Sequence, residues 1–211
     1  MTVGDRGPGL GAGDYRRDGL VVVRGLLGPD MAGYLTTYLK VITALDRLHG
    51  DRDVPDALSV YGDPALDALL PTLAGRVRAL VGAAVVPTYS YARLYFRDQE
   101  LRPHRDRPAC EHSLTVHLGA SAPTPWPVGF EAADGRRLEF DLGPGDAVLY
   151  RGVDLLHWRS GCPVDWYAQV FLHYVAADGP HAAEAYDRRD RLGLPRPGAR
   201  VEARTGAAHG S

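Results

Sequence analysis

Residues 85–106 read VVPTYSYARLYFRDQELRPHRD, and the run changes texture within a few residues. Tyr89, Tyr91, Arg93, Tyr95 and Arg97 alternate with Ser90, Ala92, Leu94 and Phe96. On a regular strand the first set shares one face and the second set the other. A face of phenols and guanidinium groups suits an anion pocket, or the solvated face of an edge strand. The run ends in Pro103-His104-Arg105-Asp106, a pair of potential metal ligands spaced by one residue, which on a continued strand would point to one cavity.

Downstream the chain continues in short β-rich runs: His112–Leu118, Val128–Ala132, Arg137–Leu142, Ala147–Tyr150 and Trp166–Val175. Asp134-Gly135 and Gly143-Pro144-Gly145-Asp146 are tight-turn signals between them. Upstream, Asp18–Leu27 reads as an entering strand. Gly28-Pro29-Asp30 then opens a helix with Met31, Leu35, Tyr38, Leu39, Ile42 and Leu45 on one face. A second helix is predicted from Asp63-Pro64, carrying Leu66, Leu69, Leu70, Leu73, Val77 and Leu80. Helices followed by six or more short strands predict an α+β, mainly β protein. Its core is a jelly roll, with the N-terminal helices packed on one sheet.

Two imidazoles and one carboxylate, His104, Asp106 and the distant His157, form a set that leaves half of a metal's coordination sphere open. That is the pattern suited to iron(II) binding a bidentate cosubstrate beside dioxygen. With 8 His in the chain, the spacing by itself is a weak signal, and the surrounding segments strengthen it. Tyr95 to Asp106 resembles the stretch entering the iron site of prolyl 4-hydroxylase-like 2-oxoglutarate oxygenases. Leu142-Gly-Pro-Gly-Asp-Ala-Val-Leu-Tyr150 resembles the turn and strand ahead of that family's distal histidine, which Leu156-His157-Trp158 then supplies.

The resemblance covers residues 85–178 and implies a double-stranded β-helix with His104, Asp106 and His157 on the metal. It further implies Fe(II), 2-oxoglutarate and O2 as reactants, and it places Tyr95 against the cosubstrate. The carboxylate at Asp106 favours hydroxylation, desaturation or ring formation, since related halogenases carry a small residue there. The family's base some ten residues past the distal histidine is missing: Asp165-Trp166-Tyr167 stands in its place. Arg159, two residues from His157, is the first substitute for pairing with the far carboxylate, and Arg93 the second. His117 is a further cosubstrate candidate or a core histidine. Tyr91, Arg97, Trp158 and Arg107 are candidates for the substrate pocket; Arg102, Arg105 and Arg107 together make either a site for an anionic substrate or a solvated cluster.

The 211 residues suffice for one domain, expected at 15–190 with its β core at about 85–178, between flexible ends at 1–14 and 195–211. A net charge of −2 supplies no field for nucleic acid or an anionic membrane. No signal-like start or membrane-length apolar run is found, and two cysteines outside any CxxC pair fit a reducing compartment. A cytoplasmic enzyme acting on a small molecule, amino acid or peptide is the expectation. A cupin-like metal enzyme that does not use 2-oxoglutarate, or a non-catalytic metal-binding barrel, is the alternative.

Overall fold

A computed structural model describes residues 12–132 and 134–195. Two antiparallel sheets face each other. The larger contains β1 (Leu20–Val23), β2 (His49–Gly50), β3 (Leu58–Tyr61), β4 (Val85–Phe96), β6 (His112–Ala120), β9 (Ala147–Tyr150) and β11 (Trp166–Ala176), in the order β1-β9-β6-β11-β4-β3-β2. The smaller contains β5 (Leu101–His104), β7 (Val128–Glu131), β8 (Arg137–Phe140) and β10 (Leu156–Arg159), in the order β5-β10-β7-β8. This is the jelly roll of a double-stranded β-helix.

The helices α1 (Ala12–Asp18), α2 (Pro29–Ala44), α3 (Pro64–Asp67) and α4 (Leu69–Val81) precede most of it. Helix α2 starts where Pro29 takes the first helical position after extended Gly28. It buries Ala32, Leu35, Leu39 and Ile42. These join Leu70, Leu73 and Val77 from α4 and the outward residues Ala92, Leu94, Leu114, Val116, Val170 and Leu172 of the large sheet in one apolar cluster. Each fully buried aliphatic side chain there stabilises the fold by roughly 1.5–3 kcal/mol. The helical layer thus covers one face of the large sheet and frees the other to line a site.

Several expectations are corrected. Met31 and Leu45 are exposed, so the buried stripe of α2 is narrower than the spacing suggested. The second predicted helix is divided at Ala68, because Pro71 has no N–H for the carbonyl of Asp67 and its ring crowds that carbonyl. The entering strand shrinks to Leu20–Val23. Helix α1 takes in Ala12 to Asp14, part of the expected flexible start; residues 1–11 and 196–211 lie outside the described residues. No helix among the described residues is long and apolar enough to cross a membrane.

Candidate metal centre

Strands β5 and β10 pair so that His104 lies directly opposite His157, and the two imidazole centroids are 4.2 Å apart. Each ring is fixed by a bond from its Nδ1–H to a carbonyl two residues back: His104 to Arg102 O at 2.9 Å, His157 to Leu155 O at 3.0 Å. That assignment leaves each Nε2 as the ring's free donor atom, the usual orienting device for metal-bound histidine. His104, Asp106 and His157 each bring a ligand atom within 4.8 Å of the others. Each Nε2 is 3.7 Å from Asp106 Oδ1, too long for a hydrogen bond. Ligand bonds of roughly 2.1 Å put two donor atoms on one divalent ion about 3–4 Å apart. Burial pushes His157 below its ordinary pKa, although Asp106 opposes the shift. A neutral imidazole is the form that ligates.

Asp106 is not on a strand, contrary to the expectation that alternation along one strand aligns it with His104. β5 ends at His104. The carboxylate is placed instead by its own backbone N–H, which donates to Gly152 O at 2.8 Å, and by Ser113 Oγ, which donates to Oδ2 at 3.3 Å. A second cluster, Asp106 with Cys110 and His173, is also tight enough for an ion. Burial pushes the Cys110 thiol up and keeps it protonated, which leaves His104, Asp106 and His157 as the better donor set.

A cavity of about 250 Å³ opens over the three residues. Tyr61, Tyr89, Tyr91, Phe171 and His173 wall it, with Arg52, Asp53, Arg93 and Arg107 among the polar lining. Among the sequence candidates, Tyr91 and Arg107 do line it. Arg97 does not: β4 ends at Phe96, and the Arg97 guanidinium is held at the surface, donating to Asp165 Oδ1 at 2.7 Å and to Pro163 O at 2.8 Å. Trp158 is excluded by strand alternation. It faces away from His157 and Arg159 and covers Gly129, where an added Cβ would collide with its indole.

Arg93 is held from two sides. Its Nε and Nη2 donate to Asp51 at 2.5 and 3.0 Å, and its Nη1 donates to the Tyr95 hydroxyl at 2.9 Å. Its charge is thereby already balanced by Asp51, and Tyr95 acts as its partner from a fully buried position. Arg105 donates to Asp154 O and Arg107 is paired with Asp187, and of Arg102, Arg105 and Arg107 the cavity lining includes Arg107 alone, as the solvated-cluster alternative has it for the other two.

Arg159 is different. It is 2% exposed, its Nη1 donates to Trp126 O at 2.5 Å, and its Nη2 has no partner. Trp126 and Tyr167 enclose the guanidinium, 4.4 and 5.0 Å from their ring centres. No carboxylate among the described residues pairs with it. The Tyr167 hydroxyl, His117 Nε2 and Gln169 Oε1 are likewise buried without partners, and the His117 and Tyr167 rings stack at 4.1 Å. Burial pushes His117 down to about 4, so Arg159 is the cation of the group.

Sequence reading missed Tyr61, Phe171, Tyr167 and Asp187. Phe171 and Tyr167 share the parity of Gln169 on β11, a signal that was present. Asp187 carries none, since it meets Arg107 across 80 residues.

No protein-family model matches the chain, and no curated protein matches it by sequence. Solved structures do match. They define a shared double-stranded β-helix fold, to which this chain conforms over most of its length. A prolyl-4-hydroxylase of Pseudomonas putida superposes with a TM-score of 0.66 at 15% identity, covering 78% of this chain and 96% of its own. The non-heme alpha ketoglutarate dependent epimerase SnoN from nogalamycin biosynthesis gives 0.68 at 16%, covering 88% and 90%. AviO1 from Streptomyces viridochromogenes gives 0.64 at 22%, covering 85% and 99%.

Proposed function

We propose that this chain is a non-haem iron(II) oxygenase that uses 2-oxoglutarate and O2 to oxidise an unactivated C–H bond, by hydroxylation, of a small molecule, amino acid or peptide. The observation that carries this reading is the convergence of His104 Nε2, His157 Nε2 and Asp106 Oδ1, with both Nδ1–H groups tied to carbonyls. The names of its structural neighbours, a prolyl-4-hydroxylase and an alpha ketoglutarate dependent epimerase, agree with it.

The donor set fits iron(II): two neutral imidazoles and one carboxylate on one side, open space on the other. The two unpartnered donors, Arg159 Nη2 and the Tyr167 hydroxyl, fit the carboxylate of a dicarboxylic acid. A buried guanidinium with no counter-ion is strongly unfavourable, and the carboxylate of a bound acid would supply one at Arg159. Arg159 stands two residues from His157 on the same face of β10, roughly 6.5 Å along the strand. That spacing suits an acid chelating with one end and pairing with the other. When bound, iron and 2-oxoglutarate supply oxygen activation and hydrogen abstraction, with succinate and CO2 as co-products.

The residues' own part is holding and excluding. His104, Asp106 and His157 hold the ion. Arg159, with the Tyr167 hydroxyl, holds the far carboxylate, and His117 Nε2, unprotonated, has no proton to donate to it. Tyr91 and Arg107 border the space for the substrate, and the aromatic walls keep water from it.

Anaerobic titration tests the reading. Iron(II) followed by 2-oxoglutarate gives a weak visible charge-transfer band in the wild type and none in His104→Ala or Asp106→Ala. Arg159→Met retains iron but weakens 2-oxoglutarate at least about tenfold, the loss expected for an unpaired buried charge. Iron binding without any band in the wild type would identify a metalloprotein of another kind.

A further inference from the structure

Three arginines border the substrate side of the cavity, and each faces an aspartate. Arg93 is gripped by Asp51 through two bonds, with Asp53 3.9 Å from its Nη2. Arg107 donates through Nη1 and Nη2 to the two oxygens of Asp187 at 2.5 and 2.9 Å. Arg52 lies 3.5 Å from Asp53 at the open rim. Asp51 and Asp187 stand behind the wall and do not line the cavity. At Arg93 and Arg107 a ligand anion would compete with a bidentate carboxylate, while Arg52 and Asp53 at the rim balance each other's charge across a longer contact.

What the wall does present is ring surface. The Tyr61 hydroxyl donates to Asp187 at 2.5 Å, the Tyr91 hydroxyl donates to Asp51 at 2.8 Å, and the Tyr89 hydroxyl is bonded to Cys110 Sγ at 3.1 Å. The polar ends of three tyrosines are thereby tied down. Tyr61 and Tyr89 are stacked with centroids 4.9 Å apart, and Phe171 adds another face beside Tyr91.

We propose that the substrate half of the cavity selects an uncharged, hydroxyl-bearing ring molecule, and that Asp187 is the specificity-determining residue that keeps this half neutral. Aromatic faces take the flat or C–H-rich side of a ring. A guanidinium beside a carboxylate, as at Arg52 and Asp53, offers donor and acceptor together, which matches a hydroxyl group that both donates and accepts. Asp187 is delivered at a conformational cost: Tyr186, Asp187 and Arg188 all have left-handed backbones, with φ of 53, 54 and 60°. Such a run persists only where surrounding contacts over-determine it. Arg189 provides the anchor, donating to Asp67 Oδ2 at 3.0 Å and to Thr88 O at 2.8 Å.

The inference rests on the oxygenase reading for what the cavity is for, but its test is binding to the iron-free full chain and needs no turnover. The probes are 4-nitrophenyl β-glucoside and 4-nitrophenyl β-glucuronide, which differ by one carboxylate, with naringenin as a phenolic ring and L-proline as a zwitterion. Saturation-transfer NMR and calorimetry should show the wild type binding the glucoside or naringenin at least about tenfold tighter than the glucuronide or L-proline. Which neutral probe binds separates a sugar from a phenolic source. Asp187→Asn should raise glucuronide affinity about tenfold by freeing Arg107, and adding Arg107→Gln should abolish the gain. Should Asp187→Asn fail to fold, Asp53→Asn at the exposed rim should move glucuronide affinity in the same direction. Failure of both neutral probes to bind, equal binding of glucuronide or L-proline by the wild type, or an unmoved glucuronide affinity in the folded variant would overturn the proposal. Intact binding with no 2-oxoglutarate turnover would instead overturn the oxygenase reading.

Discussion

At the scale of single residues, His117 shows how burial sets a measurable property. Its Nδ1–H donates to Leu142 O at 2.8 Å, and its ring lies against Tyr167 in a site only 6% exposed. Burial pushes its pKa down to about 4, and the nearby Arg159 charge adds to the shift. The unfolded chain takes a proton near the ordinary value of about 6.5, so between pH 6.5 and 4 it binds a proton that the folded protein refuses. The contribution is complete above pH 6.5 and is lost progressively as pH falls towards 4, at about 1.4 kcal/mol per pH unit. Urea unfolding of iron-free protein across this window should show that acid slope. In His117→Asn, whose amide can still donate to Leu142 O, the slope should fall by about one proton. An identical slope in the variant would show that His117 does not set it.

At the scale of elements, the proposed ligands are held by a turn as much as by strands. The segment between β9 and β10 brings Gly152 against Asp106, where its carbonyl accepts the Asp106 N–H. A Cβ at Gly152 would run into Asp106 Oδ2 and the Cys110 carbonyl oxygen. Backbone cannot give way as a flexible side chain does, so Gly152→Ala should displace the carboxylate. Chelator competition should show iron affinity lowered about 10–100-fold, the range for losing an orienting contact. Stability should fall by about 1–3 kcal/mol through overpacking. Wild-type affinity in Gly152→Ala would mean that the turn does not position Asp106. This contact was invisible in the sequence, where the one-residue spacing of His104 and Asp106 suggested a continuous strand. Long alternating elements were legible: β4, β6 and β11 fall close to where the pattern put them, and the short β7, β8 and β9 were marked by the tight turns that bound them. The four-residue strands β3 and β5 were not, since so short a run shows no period and neither is set off by a strong turn signal. The parity that placed Arg159 with His157 also put Trp158 on the opposite face. The counter-ions Asp51 and Asp187 were hidden because they meet Arg93 and Arg107 across 42 and 80 residues.

At the scale of the whole molecule, the two faces of the large sheet carry different duties. The outer face and the helices form the extensive apolar cluster, while the inner face near the ligands is crowded with Tyr89, Ser113, Tyr150, Gln169 and His173. Folding should therefore depend chiefly on the helix-covered side, with metal binding an addition to an already folded barrel. Ligand that binds only the native state stabilises it by RT ln(1 + [L]/Kd), about 2.7 kcal/mol at a hundredfold excess over Kd. For a domain of this size that corresponds to an increase in Tm of roughly 5–10 °C. Anaerobic scanning calorimetry of chelator-treated protein should show a cooperative transition, which iron(II) raises and 2-oxoglutarate raises further. His104→Ala should keep the iron-free transition within a few degrees and lose the iron-dependent rise. An unfolded chelator-treated protein would show instead that the metal is needed to close the barrel, as it is in small domains whose binding energy is their folding energy. That result would shift the weight of stability from the helical layer to the sheet interior.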